Sequence, residues 1–193
     1  SVCENFTNFG VLSAATGSTV YFGNAAVNQI INGNLSGSNA FGNLTITKTG
    51  GIVSMLQNTD VKGIFNNSLA TSTFNVNGKI HKVAGNFNNA GTYNPGGGTL
   101  ELNGALAQTY FNAGVINNLV MNHSGPGVSL LTNMNTGTTG VVTLTNGRVI
   151  TTAAYEVSVS NRTPAAVSPG NVSSFVQGYL RRYINATGSY DFP

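Results

Sequence analysis

The chain carries five carboxylates, Glu4, Asp60, Glu101, Glu156 and Asp191. Glycoside hydrolysis works with two carboxyl groups held roughly 5–9.5 Å apart across the scissile bond. No two of these acids are near neighbours in sequence, so only folding could pair them. Glu101 lies between Leu100 and Leu102, and Glu156 between Tyr155 and Val157. Those are outward slots of alternating strands, where carboxylates are expected as solvated surface groups. Lyase chemistry asks for a base beside acidic metal ligands, and five scattered acids do not suggest such a cluster. The imidazoles, His81 and His123, have neither a second His at helical spacing nor a nearby Cys, which disfavours zinc. Both adjoin expected turns and are read as exposed. Cys3 has no neighbouring His, and a structural role is expected for it. Pro95-Gly96-Gly97-Gly98 lacks the Lys-Ser/Thr pair of a phosphate loop and reads as a hairpin or coil corner. No Asp-rich loop suggests calcium. The expectation is a non-enzymatic chain with no catalytic, metal-binding or cofactor-binding residues and no cofactor.

Binding is the chemistry that remains. Tyr93, Tyr110, Phe111 and Tyr155 are candidate platforms for sugar stacking, although most also read as core. Arg181 and Arg182 could serve a ligand-binding strand, against the plainer reading of a terminal cap. Thr pairs at 45/47, 71/73 and 143/145, with Thr49 and Thr151, raise ice binding, which needs ranks of Thr in register on one flat face. The pairs do not recur regularly along the chain. Asn-x-Ser/Thr matches such as Asn43-Leu44-Thr45 and Asn185-Ala186-Thr187 are expected by chance in this composition. The pI of about 9.2 reflects few acids rather than many bases, and the eight Lys and Arg are scattered, so no nucleic-acid partner is expected. No apolar run approaches the ~18 residues of a membrane helix, so no membrane insertion is expected.

The elements that would carry these residues follow from alternation. Leu44/Ile46, Phe74/Val76, Leu100/Leu102, Leu119/Met121, Val142/Leu144 and Tyr155/Val157/Val159 each alternate with polar or outward neighbours, as in half-buried strands. Asn, with 28 copies, and Gly, with 25, punctuate them. Both suit turns that need a left-handed backbone, and stacked turns could align Asn side chains into hydrogen-bonded ladders. Charged residues make up only 7% of the chain, against about 25% in ordinary domains. One Cys excludes an internal disulfide scaffold.

Blocks also recur. Phe6-Thr7-Asn8-Phe9-Gly10 matches Phe87-Asn88-Asn89-Ala90-Gly91, and the block at 17–24 matches that at 97–104. Asn43-Leu44-Thr45-Ile46 then matches Asn118-Leu119-Val120-Met121, and the block from Gly51 resembles that from Gly127. The offset is about 75–81 residues, a long-period repeat. Within it, strand-turn units recur every 18–24 residues or so, a length suited to one coil of a β-helix. The expected fold is all-β: a parallel β-helix (β-solenoid) with a short C-terminal cap, the alternative being an antiparallel β-sandwich. Residues 1–160 would form the solenoid from two super-repeats of about 80 residues, with eight or nine coils. Residues 161–193, interrupted by Pro164 and Pro169, would form the cap or a junction to a following domain.

These blocks resemble the Asn/Gly-rich β-helical repeat regions of adhesin-like surface proteins exported by the type IX secretion system of Bacteroidetes. The run from Phe87 to Gly104 is similar to that family's FxNxGxFxxGxGTVxFNG block. Asn117-Asn118-Leu119-Val120-Met121-Asn122 resembles FxNLxIN, and the run from Val142 to Thr152 resembles LTLTNGxxxT. Ser174-Phe175-Val176-Gln177-Gly178-Tyr179-Leu180-Arg181-Arg182, with Thr187-Gly188-Ser189-Tyr190-Asp191-Phe192-Pro193, is similar to the closing SFVxGxLRR…TGSYxFPVG block. The resemblance implies right-handed winding, secretion and an extracellular or cell-surface location. It also implies a larger parent protein, and it transfers no catalytic residue. The functional expectation is a structural and adhesive module, a rigid stalk whose partner is a surface, a glycan or copies of itself. The alternatives are a carbohydrate-binding β-helix and an ice-binding protein.

Overall fold

A computed structural model describes residues 1–15, 17–23, 27–185 and 187–193. Asn24, in one of the repeat blocks, and Ala186, in an Asn-x-Thr match, lie outside the described residues. The chain is a parallel β-solenoid of about 8 turns. It opens with β1 (Phe6–Asn8) and then winds over three faces in fixed order. The first coil holds β2 (Thr19–Phe22) and β3 (Gln29–Gly33), and the second β4 (Asn43–Ile46), β5 (Ile52–Met55) and β6 (Thr59–Val61). The third holds β7 (Phe65–Asn67), β8 (Thr73–Asn75) and β9 (Ile80–Val83). The fourth holds β10 (Phe87–Asn89), β11 (Thr92–Asn94) and β12 (Thr99–Leu102). The fifth holds β13 (Gln108–Asn112), β14 (Val115–Ile116) and β15 (Asn118–Asn122), and the sixth β16 (Val128–Leu130), β17 (Met134–Thr136) and the start of β18 (Val142–Ile150). The end of β18 begins the seventh coil, which continues through β19 (Val157–Val159). The last holds β20 (Ser174–Gln177) and β21 (Leu180–Arg182).

Each named strand lies parallel to its sheet neighbours, which sets the sandwich alternative aside. Register partners are 19 residues apart at the shortest (Ile80 and Thr99) and 27 at the longest (Val149 and Val176). Most coils keep to the 18–24 residues read from the turns, the steps from β1 to β3 (25) and from β18 to β20 (27) being longer, and the seventh coil ends near residue 160. The ladders also run on past residue 160: β20 pairs with β18 and β21 with β19. The final residues fold over this last coil, where Val176 N–H donates to Pro193 O and Arg182 donates to Asp191 O.

Alternation along each strand sends one set of side chains inward. Register then stacks them as ranks, with strands about 4.8 Å apart. Leu44, Phe65, Phe87, Tyr110 and Leu130 form one interior rank on the first face. Its rings are stacked, Phe65 on Phe87 at 5.1 Å and Phe87 on Tyr110 at 5.4 Å between centroids. Val53, Phe74 and Tyr93 face them from the second side. Polar residues are also sealed inside. Asn67 Nδ2 donates to Asn89 Oδ1 at 2.7 Å, and Asn89 Nδ2 donates to Asn112 Oδ1 at 2.7 Å. Asn112 Nδ2 continues to the Tyr110 hydroxyl at 2.9 Å. This interior amide ladder links three coils. Other Asn side chains join coils at the corners: the Oδ1 atoms of Asn5, Asn28, Asn58, Asn86 and Asn133 accept from N–H groups at strand starts one coil later.

Two departures from regular stacking matter later. β18 turns from the third face to the first without a loop, joining both faces into one sheet. The corner falls at Gly147 (φ 78°), where a Cβ would stand 2.4 Å from the carbonyl oxygen of His123. On the second face, by contrast, the ladder is interrupted between β11 and β14.

Replacing Asn89 by Asp would turn a buried donor into an acceptor facing Gly91 O and Asn112 Oδ1. A loss of at least about 3 kcal/mol is expected in urea unfolding. Asn88→Asp, one residue away but outward, should stay within about 0.5 kcal/mol.

Candidate functional site

The structure separates the residues singled out by type. Tyr93 and Tyr110 are core residues, 4% and 0% exposed, and burial raises the pKa of both hydroxyls. They offer no platform to a ligand. Phe111 is half-buried in an outward rank of the first face that runs Tyr21, Thr45, Asn66, Asn88, Phe111. Tyr155, read as an inward strand residue, instead lies in a turn before β19 and is exposed.

The histidines correct the expectation of exposure: both are fully buried. His81 takes an inward slot of the third face, in one rank with Thr59, Leu100 and Leu119. Phe65 and Phe74 pack on its ring, and Nδ1 lies 3.2 Å from the Tyr93 hydroxyl. Its Nε2 has no partner among the described residues, and burial lowers its pKa to about 3. His123 closes a corner: its Nε2 is 2.9 Å from Leu106 O, and its Nδ1 accepts from Gly125 N–H. Lys48 is also sealed in, its ammonium donating to Val27 O at 2.7 Å and Gln29 Oε1 at 2.8 Å. Desolvation lowers its pKa.

Stacking does bring two acids onto one rank. Asp60, Lys82 and Glu101 are successive register partners on the third face, so the lysine separates the carboxylates. Lys82 Nζ is 3.0 Å from Glu101 Oε2, and Asn122 Nδ2 donates to Glu101 Oε1 at 3.1 Å. Glu101 is therefore covered by its neighbours rather than freely solvated. Among the described residues, no three His, Cys, Asp or Glu side chains converge as metal ligands. Cys3 is exposed near the N-terminus. The glycine run at 95–98 forms the corner between β11 and β12. The Thr pairs fall on different faces: Thr45 on the first, Thr73 on the second, Thr143 on the third. On the second face the rank reads Ile52, Thr73, Thr92, which is too short for a Thr plane.

One concavity collects groups with binding chemistry. At the corner between the first and second faces, near the C-terminal end, a cavity of about 210 Å³ is lined by Asn133, Thr152, Tyr155, Glu156, Tyr179 and Arg181 among others. These residues come from three successive coils. Glu156 Oε1 and Arg181 Nε form an ion pair at 2.9 Å. The sequence had singled out Tyr155, Glu156 and Arg181 separately. Tyr179 and Asn133 were missed, because only the coil period places them beside the others. A wider groove of about 590 Å³ lies at the opposite end, beside the 90% exposed ring of Phe9. Arg182, the neighbour of Arg181, points inward, donating to Thr163 O and Pro164 O and standing 5.0 Å from the Tyr190 ring centroid. It belongs to the closing tail.

The class defined by this architecture is the parallel β-solenoid. Comparison of the chain with family models, curated proteins and solved structures finds no match. Among the described residues no helix is long and apolar enough to cross a membrane.

Two outcomes follow from the buried and stacked charges. His81 is neutral in the fold, whereas an unfolded chain protonates it near 6.5. Its depressed pKa makes its contribution complete above about pH 6.5, and that contribution is lost as pH falls toward 3. His81→Phe should therefore show a smaller drop in urea midpoint between pH 7 and pH 4 than the parent. Lys82→Glu would place three carboxylates in one rank, costing about 1 kcal/mol at low salt. Raising the salt should recover part of that loss.

Proposed function

We propose that this chain is a non-enzymatic structural and adhesive module: a rigid β-solenoid segment of a secreted cell-surface protein. In this reading it is a repeat region of the type IX secretion kind that its blocks resemble. The observation that carries the proposal is the outward rank of the first face. Thr45, Asn66 and Asn88 stand there in register over three coils. Their side chains hold no hydrogen bond among the described residues, whereas many other Asn side chains tie coils together. Tyr21 and Phe111 continue the rank at either end. A neutral face of hydroxyl and amide groups suits contact with a hydrated surface or glycan. The uninterrupted first-face ladder supplies the stiffness that a stalk needs.

The test is attachment. Beads coated with the purified module should adhere to the natural substratum of the producing cells. Excising the segment from its gene should cut cell attachment several-fold while the rest of the protein is still exported. Unchanged attachment with normal export would overturn the reading. Sedimentation of the purified module would show whether copies of it associate.

A further inference from the structure

The corner cavity is built more deliberately than the faces around it. The turn carrying Tyr155 is closed by two backbone bonds, Thr152 N–H to Tyr155 O at 3.1 Å and Tyr155 N–H to Thr152 O at 3.3 Å. Ala154 N–H donates to Thr152 Oγ1, which fixes the turn outside the solenoid wall. One coil later Gly178, at φ 117°, lets the backbone close onto Thr151, whose hydroxyl accepts from Tyr179 N–H. Two tyrosines are thus held at the rim by main-chain contacts, with 36% and 57% of their surfaces exposed. Asn133 Oδ1 accepts from Glu156 N–H and so holds the carboxylate's backbone at the entry to β19.

The ion pair at the base is only half used. Arg181 Nε stands 2.9 Å from Glu156 Oε1, yet the two side chains remain 59% and 23% exposed. Among the described residues, neither side chain is paired with a third group, so both keep polar surface open to a ligand. A donor group therefore lies beside an acceptor in a cavity that Tyr155 and Tyr179 also line, and the pair carries no net charge. Adjacent hydroxyls on a sugar ring match that pair, one donating to the carboxylate and its neighbour accepting from the guanidinium. The C–H face of the same ring would lie on a tyrosine. An acidic sugar would set its carboxylate against Glu156, so a neutral ring fits better. The small volume suits a single ring rather than a chain.

We propose that this cavity is a binding site for one neutral sugar ring presenting vicinal hydroxyls, with Tyr155 and Tyr179 as stacking walls and the Glu156–Arg181 pair as hydroxyl reader. This rests on the adhesive reading and names the ligand class through which adhesion would act.

The experiment is a titration of the isotope-labelled chain with methyl glycosides of neutral hexoses, 6-deoxyhexoses and hexuronic acids, followed by amide chemical shifts. At least one neutral glycoside should give saturating shifts at residues 152–156 and 178–181 and bind more tightly than the acidic ones. Tyr155→Ala and Tyr179→Ala should each weaken that binding about three- to tenfold. Glu156→Gln should weaken it as well, and Leu106→Ala, exposed on the corner between β12 and β13, should leave it unchanged. The shift map on the parent chain needs no variant, so a variant that misfolds does not blunt the test. Absence of saturating shifts at this corner, shifts confined to other sites, or preference for the hexuronic acid would each overturn the proposal. Beads that adhere while no glycoside titrates the corner would sink the sugar site and leave the adhesive reading standing. Glycosides that titrate the corner while attachment ignores the module would do the reverse.

Discussion

Parallel stacking in register places every side chain about 4.8 Å from its equivalents above and below. A residue type survives in this fold only if it tolerates such neighbours. Aliphatic and aromatic residues tolerate them inside, as in the run from Leu44 through Tyr110. Amides tolerate them anywhere, since each carries both a donor and an acceptor and can pass a bond along the rank. Charges tolerate them only in alternation, as in Asp60, Lys82 and Glu101. The scarcity of charge and the abundance of Asn are two results of one spacing.

Much of this was legible in the chain. Alternation located the strands around Leu44, Phe74, Leu100, Leu119 and Val142, and turn spacing gave the solenoid. The Phe-Asn-Asn strands at 65–67 and 87–89 were harder, because two adjacent asparagines there have opposite fates. Asn88 faces out and Asn89 is sealed in the ladder. Composition cannot distinguish them; only the position of Phe87 fixes the parity. The histidines failed for a related reason. A His beside a turn reads as exposed, yet parity puts His81 inward among phenylalanines. The corner cavity was legible only as fragments, since its residues are separated by whole coils and coil length varies from 19 to 27.

The recurring blocks and the coils keep different time. From β1, three coils lead to β8, and two more strands lead to β10, which carries the matching block. The same step takes β2 to β12, β4 to β15 and β5 to β16. Each block thus returns one face earlier than it began. The sequence repeat describes interchangeable strand-turn units, which any of the three faces accepts because the inward requirement is the same on all of them.

The interruption between β11 and β14 has a mechanical meaning. The bonds between coils lie along the axis, so a pull on the two ends loads them in tension. At that level two faces share the load instead of three. The interior pair Asn89–Asn112 and the stacked rings of Phe87 and Tyr110 cross the same gap, a splint under the break. Further along, β18 ties two faces together through Gly147, so that neither can peel alone. Between its second and sixth coils, a stretched molecule should part first at this level, leaving two shorter rods, each still wound.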